Sequence, residues 1–287
     1  MQKSDYTIRT MTRKELDIAI EWAAAEGWNP GLFDADCFYA ADPNGFLIGL
    51  LGDEPIAAIS VVKYGNSFGF LGLYLVKPAY RHKGYGIQIW NAGLAYLEGR
   101  MIGLDGVVDQ QGNYKLSGFT LAYRNIRFQG IGGGHSPANP ESRSGIVALS
   151  TVPFNEVCAY DKPFFPDDRA QFLRCWIDRH QKSALGILQN RKLMGYGVLR
   201  HCRNGYKIGP LFADSPEFAE QLFLGLKAHA PEGAPIFLDT PEVNAEAINL
   251  ATRHHMNVSF ETARMYKGKS PDLPINRLFG VTTFELG

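Results

Sequence analysis

The segment LGLYLVKPAYRHKGYGIQIW, Leu71 to Trp90, decides how the first half of this chain folds. An apolar run typical of a buried strand ends at Pro78, and an apolar pattern with helical spacing resumes after Gly86. Three basic residues and two glycines lie between them. The first N–H groups of a helix have no intrahelical partner and lie at the positive end of its dipole. The junction therefore suits an anion such as phosphate, although a plain helix-start turn needs the same glycines.

This loop differs from the two common glycine-rich phosphate loops. It lacks the Gly-Lys-Ser/Thr ending of a P-loop. It also has a single Gly-x-Gly, and a dinucleotide fingerprint needs a parallel βαβ unit, whereas the preceding runs predict an antiparallel meander. Those β-rich apolar runs are separated by turn residues: Gly45–Asp53, Pro55–Gly65 and Phe68–Pro78. Nearer the start of the chain, Thr12 and Glu15 have capping-box spacing and predict that a helix begins there.

The order of predicted elements recurs in the second half of the chain. FLGLYLV corresponds to KIGPLFA, which aligns Gly72 with Gly209. IGLDG corresponds to IFLDT, which aligns Asp105 with Asp239, and YRNIRF and TARMYK fall in the same place. The likeness is weak residue by residue but runs through the whole unit, which indicates a tandem repeat.

We therefore predict an α+β protein of two tandem domains, residues 1–150 and 151–287, each a mixed, mostly antiparallel sheet flanked by helices. The run IVALS, residues 146–150, would be the last strand of the first domain. The basic, glycine-rich loop has no counterpart in the second domain, where only DSPE separates strand from helix. A loop needed only for the fold should occur twice, so its single occurrence assigns anion binding to the first domain.

The composition favours some classes of protein and argues against others. Among 287 residues, 29 basic and 29 acidic side chains give a net charge of zero, which argues against nucleic acid or an acidic membrane as the main partner. No run approaches the ~18 apolar residues of a membrane span. The four cysteines form no CxxC pair, which favours reduced thiols over a disulfide framework or a zinc site. We predict a cytoplasmic protein that binds no metal, nucleic acid or membrane.

The pattern Arg81-x-x-Gly84-x-Gly86, between an apolar strand and a helix, resembles the acyl-CoA pyrophosphate loop of the GNAT superfamily of N-acetyltransferases. The order of elements is similar to that fold, and EGWNPG with GYKIGPLFAD resembles bacterial two-domain members, the second domain here being a degenerate copy. The resemblance implies acetyl-CoA as co-substrate, its pyrophosphate held by loop amides and its pantetheine arm by the fourth strand. The cofactor-binding residues it implies are Leu75, Val76, Arg81, His82, Lys83, Gly84, Tyr85, Gly86, Ile87 and Asn113.

Tyr114 is the catalytic residue that the resemblance implies. YKLSGF places it four residues before Gly118-Phe119, as in many family members, where such a tyrosine protonates the departing CoA thiolate. The alternative is a helix tyrosine with its ring in the core and its hydroxyl at the surface. Asn113 would likewise either contact the pantetheine arm or cap the short helix.

The general base is not identified by the sequence. An amine with a pKa near ~10 is almost wholly protonated at pH 7, so a base must act on it. Family members often carry a glutamate in the fourth strand, but FGFLGLYLVKP contains no carboxylate. Asp105 and Asp109 are the nearest candidates, and Asp105 is explained equally well as a structural residue because Asp239 occupies the same place. Aromatic residues near the first helices would line an acceptor pocket or pack as core: Trp22, Trp28, Phe33 and Phe38.

The resemblance thus predicts an enzyme that transfers an acetyl group from acetyl-CoA to a primary amine by direct attack, with its active site in the first domain. A small-molecule amine is favoured over a protein as acceptor, and the sequence is compatible with a homodimer. Two alternatives stay open: a non-catalytic acyl-CoA sensor, and a scaffold protein in which neither domain binds CoA.

Overall fold

The computed structural model describes residues 5–134 and 144–287. The strands are β1 (Tyr6–Thr10), β2 (Phe46–Leu51), β3 (Glu54–Tyr64), β4 (Phe68–Val76), β5 (Met101–Val107), β6 (Thr120–Ile131), β7 (Ser144–Ala148), β8 (Ala184–Gln189), β9 (Lys192–His201), β10 (Tyr206–Ala213), β11 (Pro235–Pro241), β12 (Asn257–Lys267) and β13 (Leu278–Gly280). The helices are α1 (Arg13–Ala25), α2 (Asp34–Ala41), α3 (Tyr85–Tyr96), α4 (Gln111–Leu116), α5 (Phe154–Asp161), α6 (Ala170–Arg179), α7 (Pro216–Lys227) and α8 (Ala245–Arg253).

Helix α1 begins where the capping box predicts. The Thr12 hydroxyl accepts from the Glu15 backbone N–H, and the Glu15 carboxylate accepts from the Thr12 backbone N–H at 2.8 Å. Two otherwise unpaired donors are satisfied in this way. The helix then buries one face through Leu16, Ala19 and Ile20, which fixes it against the sheet.

Within the described residues, thirteen strands form one continuous sheet. Their order is β1-β2-β3-β4-β5-β12-β6-β11-β10-β9-β8-β7, with β13 beside β10. Strands β2, β3 and β4 form the predicted antiparallel meander. The pairs β4·β5 and β10·β11 are parallel, so the prediction of a mixed, mostly antiparallel sheet flanked by helices is confirmed.

The two halves exchange strands at the centre of this sheet. Strand β5 of the first half pairs with β12 of the second, and β6 of the first half pairs with β11 of the second. Strands β6 and β12 pair with each other between them. Because each half supplies a strand to the other, neither half can form its complete sheet alone.

The prediction that IVALS closes the first domain is wrong. Strand β7, which contains most of this run, pairs antiparallel with β8 at the far edge of the second half. It therefore corresponds to β1, which pairs with β2 at the opposite edge. A domain boundary before Ser144 accords with this pairing better than one at residue 150, and the boundary itself stays a prediction.

The aligned glycines Gly72 and Gly209 mark the same irregularity in each half. Leu73 and Tyr74 of β4 together oppose a single residue of β3, which is a β-bulge, and Leu73 has a φ of +43°. In β10 the corresponding bulge lies between Ile208 and Leu211 and includes Gly209. Beyond these points β4 separates from β5, and β10 from β11, so each half contains a gap between two parallel strands.

The last ten residues of the sequence fill the gap in the second half. Strand β13 pairs antiparallel with β10, and the Val281 N–H donates to the Asp239 carbonyl of β11 at 2.8 Å. The chain then crosses to the first half, where the Tyr64 hydroxyl donates to the Leu286 carbonyl at 3.1 Å. We call residues 278–287 the tail. It occupies the second gap and leaves the first one open.

Buried contacts also join the halves on the helical side. The rings of Phe38 in α2 and Trp176 in α6 stack with centroids 6.4 Å apart. Beside them the sulfur atoms of Cys37 and Cys175 are 2.7 Å apart, a proximity that their separation in the sequence does not reveal. Phe38 is therefore a core residue.

Candidate active site

A cavity of about 580 Å³ opens where β4 and β5 separate. Strand β4 contributes Leu71–Val76 to its walls and β5 contributes Leu104–Val107. The last parallel pair joins Leu71 to Leu104, so within the described residues the strand edges beyond this pair face the gap without a strand partner. Unpaired N–H and C=O groups at such an edge can bind an extended polar chain.

The loop before α3 forms one end of the cavity. Gly84 has a φ of +84° and caps α3, which begins at Tyr85. A Cβ atom at Gly84 would meet nothing within 4 Å, so the space before the helix is open. The first amides of α3 lie beside this space at the positive end of the helix dipole. This geometry fits a pyrophosphate, as the glycine spacing predicts.

Most of the predicted cofactor residues meet at this cavity. Those that line it are Leu75, Val76, Arg81, His82, Gly84, Gly86, Ile87 and Asn113. The side chains of Lys83 and Tyr85 pack elsewhere. Lys83 Nζ lies 5.6 Å from the centroid of the Tyr80 ring, and the ring of Tyr85 packs against Tyr6 at 4.9 Å. Lys83 and Tyr85 do not line the cavity, and their role in binding stays a prediction.

Arg81 spans the rim of the cavity. Its Nε donates to the Val76 carbonyl at 2.9 Å, and its terminal nitrogen pairs with the Glu26 carboxylate. Both side chains of this pair are more than one third exposed, so the pair is worth little and can rearrange. An anion at the loop would compete with Glu26 for the guanidinium.

Tyr114 lines the cavity from α4. Its ring packs against Gly106 of β5, where a Cβ atom would lie 2.1 Å from a ring carbon, and it stacks on Trp90 at 5.6 Å. Burial raises the pKa of Tyr114 to about 12, so the phenol is protonated at neutral pH. Tyr114 is buried, as the alternative of a helix tyrosine with its ring in the core predicts, and the residue also borders the cavity. Its role as a proton donor stays a prediction.

The capping alternative for Asn113 is wrong. Helix α4 begins at Gln111, so Asn113 lies inside it, and the position before the helix is Gln110. The Asn113 side-chain amide donates to Gln110 Oε1 at 2.7 Å. Asn113 is therefore a cavity residue without a capping function.

Asp105 lines the cavity, but its carboxylate is occupied. Arg264 donates two hydrogen bonds to it, at 2.8 and 2.6 Å, and Asn125 Nδ2 donates a third at 2.8 Å. The aligned Asp239 is bound in the same way by Arg127, at 2.6 and 2.7 Å. Each aspartate thus pairs with an arginine on the exchanged strand of the other half, which is a structural role. Asp109 does not line the cavity.

The far end of the cavity is built by residues that the sequence did not associate with it. They are Arg127, Phe260, Thr262, Phe284 and Glu285. Trp28, for which the sequence left an acceptor pocket and the core as alternatives, also lines this cavity. Strands β6 and β12 and the tail carry the first five. The repeat of YRNIRF and TARMYK was the available signal, but it did not show that these strands are exchanged.

Lys207, buried on β10, lies near Arg127 and Arg200 at this end of the cavity. Its Nζ donates to the Trp28 carbonyl at 3.1 Å. Burial, together with Arg127 and Arg200 nearby, lowers the pKa of Lys207 to about 8.

The lowered pKa of Lys207 predicts a pH-dependent stability. Between about pH 8 and 10.5 the folded protein has lost this proton while the unfolded chain keeps it, so folding is favoured as the pH rises. A shift of this size corresponds to about 3 kcal/mol. In urea unfolding, the wild-type free energy should rise relative to that of Lys207→Met between pH 7.5 and 9.5. A difference that does not change with pH would contradict the prediction.

The fold and the site define an acyltransferase of the GNAT type. Residues 13–119 match the acetyltransferase (GNAT) family, and residues 157–280 match an acetyltransferase (GNAT) domain. The chain is 31% identical over 282 residues to holothin acyltransferase of a Pseudoalteromonas species, covering 98% of this chain and 95% of the relative. It belongs to the GNAT acyltransferase family, with two domains in tandem.

Solved structures agree with this assignment. A putative acetyltransferase from Pyrococcus horikoshii superposes with a TM-score of 0.80 at 26% identity, over 100% of this chain and 98% of that one. A tandem GNAT protein from the clavulanic acid biosynthesis pathway superposes with a TM-score of 0.62 at 14% identity, over 93% of this chain and 100% of that one. The second likeness supports the tandem fold alone.

Residues 5–134 and 144–287 show neither of two features, one typical of membrane proteins and one typical of metalloproteins. No helix there has the length and apolar character to cross a membrane. No three His, Cys, Asp or Glu side chains there come together as a metal site would require.

Proposed function

We propose that this protein transfers an acetyl group from acetyl-CoA to the primary amine of a small molecule, in the cavity of the first domain. The observation that carries the proposal is the joining of two features in one cavity, a helix start suited to pyrophosphate and a buried, protonated Tyr114. The name of the relative from Pseudoalteromonas, holothin acyltransferase, supports a small-molecule acceptor.

The residues of the chain have separate tasks in this reaction. The amides at the start of α3, with Gly84 and Gly86, would hold the pyrophosphate. The free edge of β4 would pair with the pantetheine arm, and an amide at Leu75 or Val76 would polarise the thioester carbonyl, a contribution of about 3 kcal/mol. The amine attacks this carbonyl carbon and the carbon–sulfur bond breaks. Tyr114 then protonates the departing thiolate.

The donor is tested by titrating the protein with acetyl-CoA in a calorimeter and by following free thiol in the presence of amines. Binding with amine-dependent thiol release supports the enzyme. Binding without release for any amine would favour the sensor, and no binding would overturn both.

Tyr114→Phe should lower kcat by about 100-fold or more and leave the Kd of acetyl-CoA within about twofold, because only the proton donor is lost. The measurement combines thiol release with calorimetry.

The matched control for this variant is Tyr123→Phe. Tyr123 and Tyr114 are each 8% exposed, but Tyr123 does not line the cavity. Equal turnover by Tyr114→Phe and wild type would remove Tyr114 from the mechanism.

A further inference from the structure

Glu285 of the tail lies at the far end of the cavity. The residue is 4% exposed and lines the cavity wall. Its Oε2 atom is buried and has no hydrogen-bond partner among the described residues. Burying a carboxylate without a partner is costly, so a group of this kind requires an explanation.

The backbone of the tail fixes the position of Glu285. Thr283 Oγ1 accepts hydrogen bonds from the N–H groups of Glu285 and Leu286, at 2.9 and 3.1 Å. The Glu285 carbonyl lies against Gly72, where a Cβ atom would be only 2.1 Å from the carbonyl oxygen. Glu285 is therefore held beside the β4 bulge, where the splayed part of β4 begins.

The neighbouring charged groups already have partners. Arg127 is paired with Asp239, and Arg200 with Asp34. Lys207 donates to a backbone carbonyl, as described above. These cations interact electrostatically with Glu285, yet none makes an ion pair with it among the described residues.

The surroundings of the carboxylate indicate the shape of its ligand. The aromatic residues Trp28, Phe260 and Phe284 line the same cavity. Thr262 also lines it, and its Oγ1 is a second buried polar atom without a partner in the described part of the chain. Aromatic walls with a few convergent polar groups are typical of small-molecule sites.

We propose that Glu285 binds the ammonium group of the acceptor and accepts its proton, and that the acceptor is a primary amine on a flat, apolar body with one group that hydrogen-bonds to Thr262. This inference rests on the proposed function and deepens it. Two of the acceptor-binding residues, Phe260 and Thr262, lie on β12, and Glu285 lies in the tail. The second domain therefore completes an active site whose acetyl-CoA-binding half lies in the first domain.

The acceptor arrives as R–NH3⁺ and gives one proton to Glu285, which becomes the neutral acid. The nitrogen lone pair forms the carbon–nitrogen bond to the thioester carbonyl carbon, and the carbon–sulfur bond breaks with its electron pair on sulfur. Tyr114 gives its proton to that thiolate. The nitrogen of the new amide still carries one proton more than the product does, and Tyr114 takes up this proton. Glu285 returns its own proton to solvent.

The test compares wild type with Glu285→Gln on two primary amines that each carry a phenyl ring, 2-phenylethylamine and aniline. The first is an ammonium ion at pH 7 and the second a neutral amine. Glu285→Gln should lower kcat/KM for 2-phenylethylamine by about 100-fold at pH 7, because the base is lost. The loss for aniline should stay below about fivefold, and the Kd of acetyl-CoA should not change. Glu285→Asp should recover part of the rate with 2-phenylethylamine.

The matched control is Glu261→Gln, which alters an exposed carboxylate on the same strand as Phe260 and Thr262 but paired with Arg124. An equal loss on both amines, or no loss on either, would overturn the role of Glu285. Failure of wild type to acetylate either amine would overturn the proposed acceptor class. Failure to bind acetyl-CoA at all would overturn the proposed function, which a calorimetric titration distinguishes from the other outcomes.

Discussion

Gly84→Glu should weaken acetyl-CoA binding by at least about 100-fold. The open space beside Gly84 is where the amides of α3 would meet the pyrophosphate, and a carboxylate there would repel it. Hydrogen bonds to a charged group are worth about 1.5–3 kcal/mol each, so the loss of two costs about 3 kcal/mol or more. Calorimetric titration with acetyl-CoA measures the change.

The chain offers a matched control for this variant. Gly99, in the turn after α3, has a φ of +80°, and a Cβ atom there would also meet nothing within 4 Å. Gly99→Glu therefore introduces the same charge and the same backbone strain away from the cavity, and it should bind acetyl-CoA as wild type does. Equal weakening by both variants would mean that strain or net charge is responsible, and the loop would lose its assigned role.

Asp239→Asn should destabilise the protein by about 3–5 kcal/mol. Arg127 and Asp239 are each 5% exposed at the side chain, and the substitution leaves the guanidinium buried without its counter-charge. The pair joins β6 of the first half to β11 of the second. Since the halves share one sheet, urea unfolding followed by circular dichroism should show a single transition that moves to lower urea.

The exposed pair Arg124–Glu261 is the control for this prediction. It joins the exchanged strands β6 and β12, with 43% and 37% of the two side chains exposed. Glu261→Gln should cost less than about 1 kcal/mol, because water solvates both charges when the pair is broken. A cost for Asp239→Asn as small as this, or two separate unfolding transitions, would show that the exchanged strands do not unite the halves.

Local patterns in the sequence were sufficient for several of the elements and for the turn that begins α3. The β2–β4 meander follows from apolar runs between turn residues, and the start of α1 from Thr12 and Glu15, because these signals act within a few residues. The turn before α3 follows similarly from Gly84 and Gly86. The side-chain directions of Lys83 and Tyr85 could not be read in this way, since they depend on the neighbours Tyr80 and Tyr6.

Such local patterns do not predict which strands pair with each other. The run IVALS reads as a strand in either half, and only its pairing with β8 assigns it to the second. Asp105 and Asp239 were correctly aligned by the repeat, but their bonds to Arg264 and Arg127 arise from exchanged strands. A repeated sequence contains two copies of each strand. It therefore predicts that a strand will pair, but not whether its partner is the copy in its own half or the copy in the other half.

By itself, then, the sequence determined the GNAT type of fold, its duplication, and the loop and Tyr114 that belong to one copy. Only the tertiary structure decided that the tail closes the second gap, leaves the first open and places Glu285 beside Gly72. The physical reason is the range of the interactions. Caps, turns and helix starts are set by neighbours in sequence, whereas Gly72 and Glu285 meet only through the packing of one sheet shared by both halves.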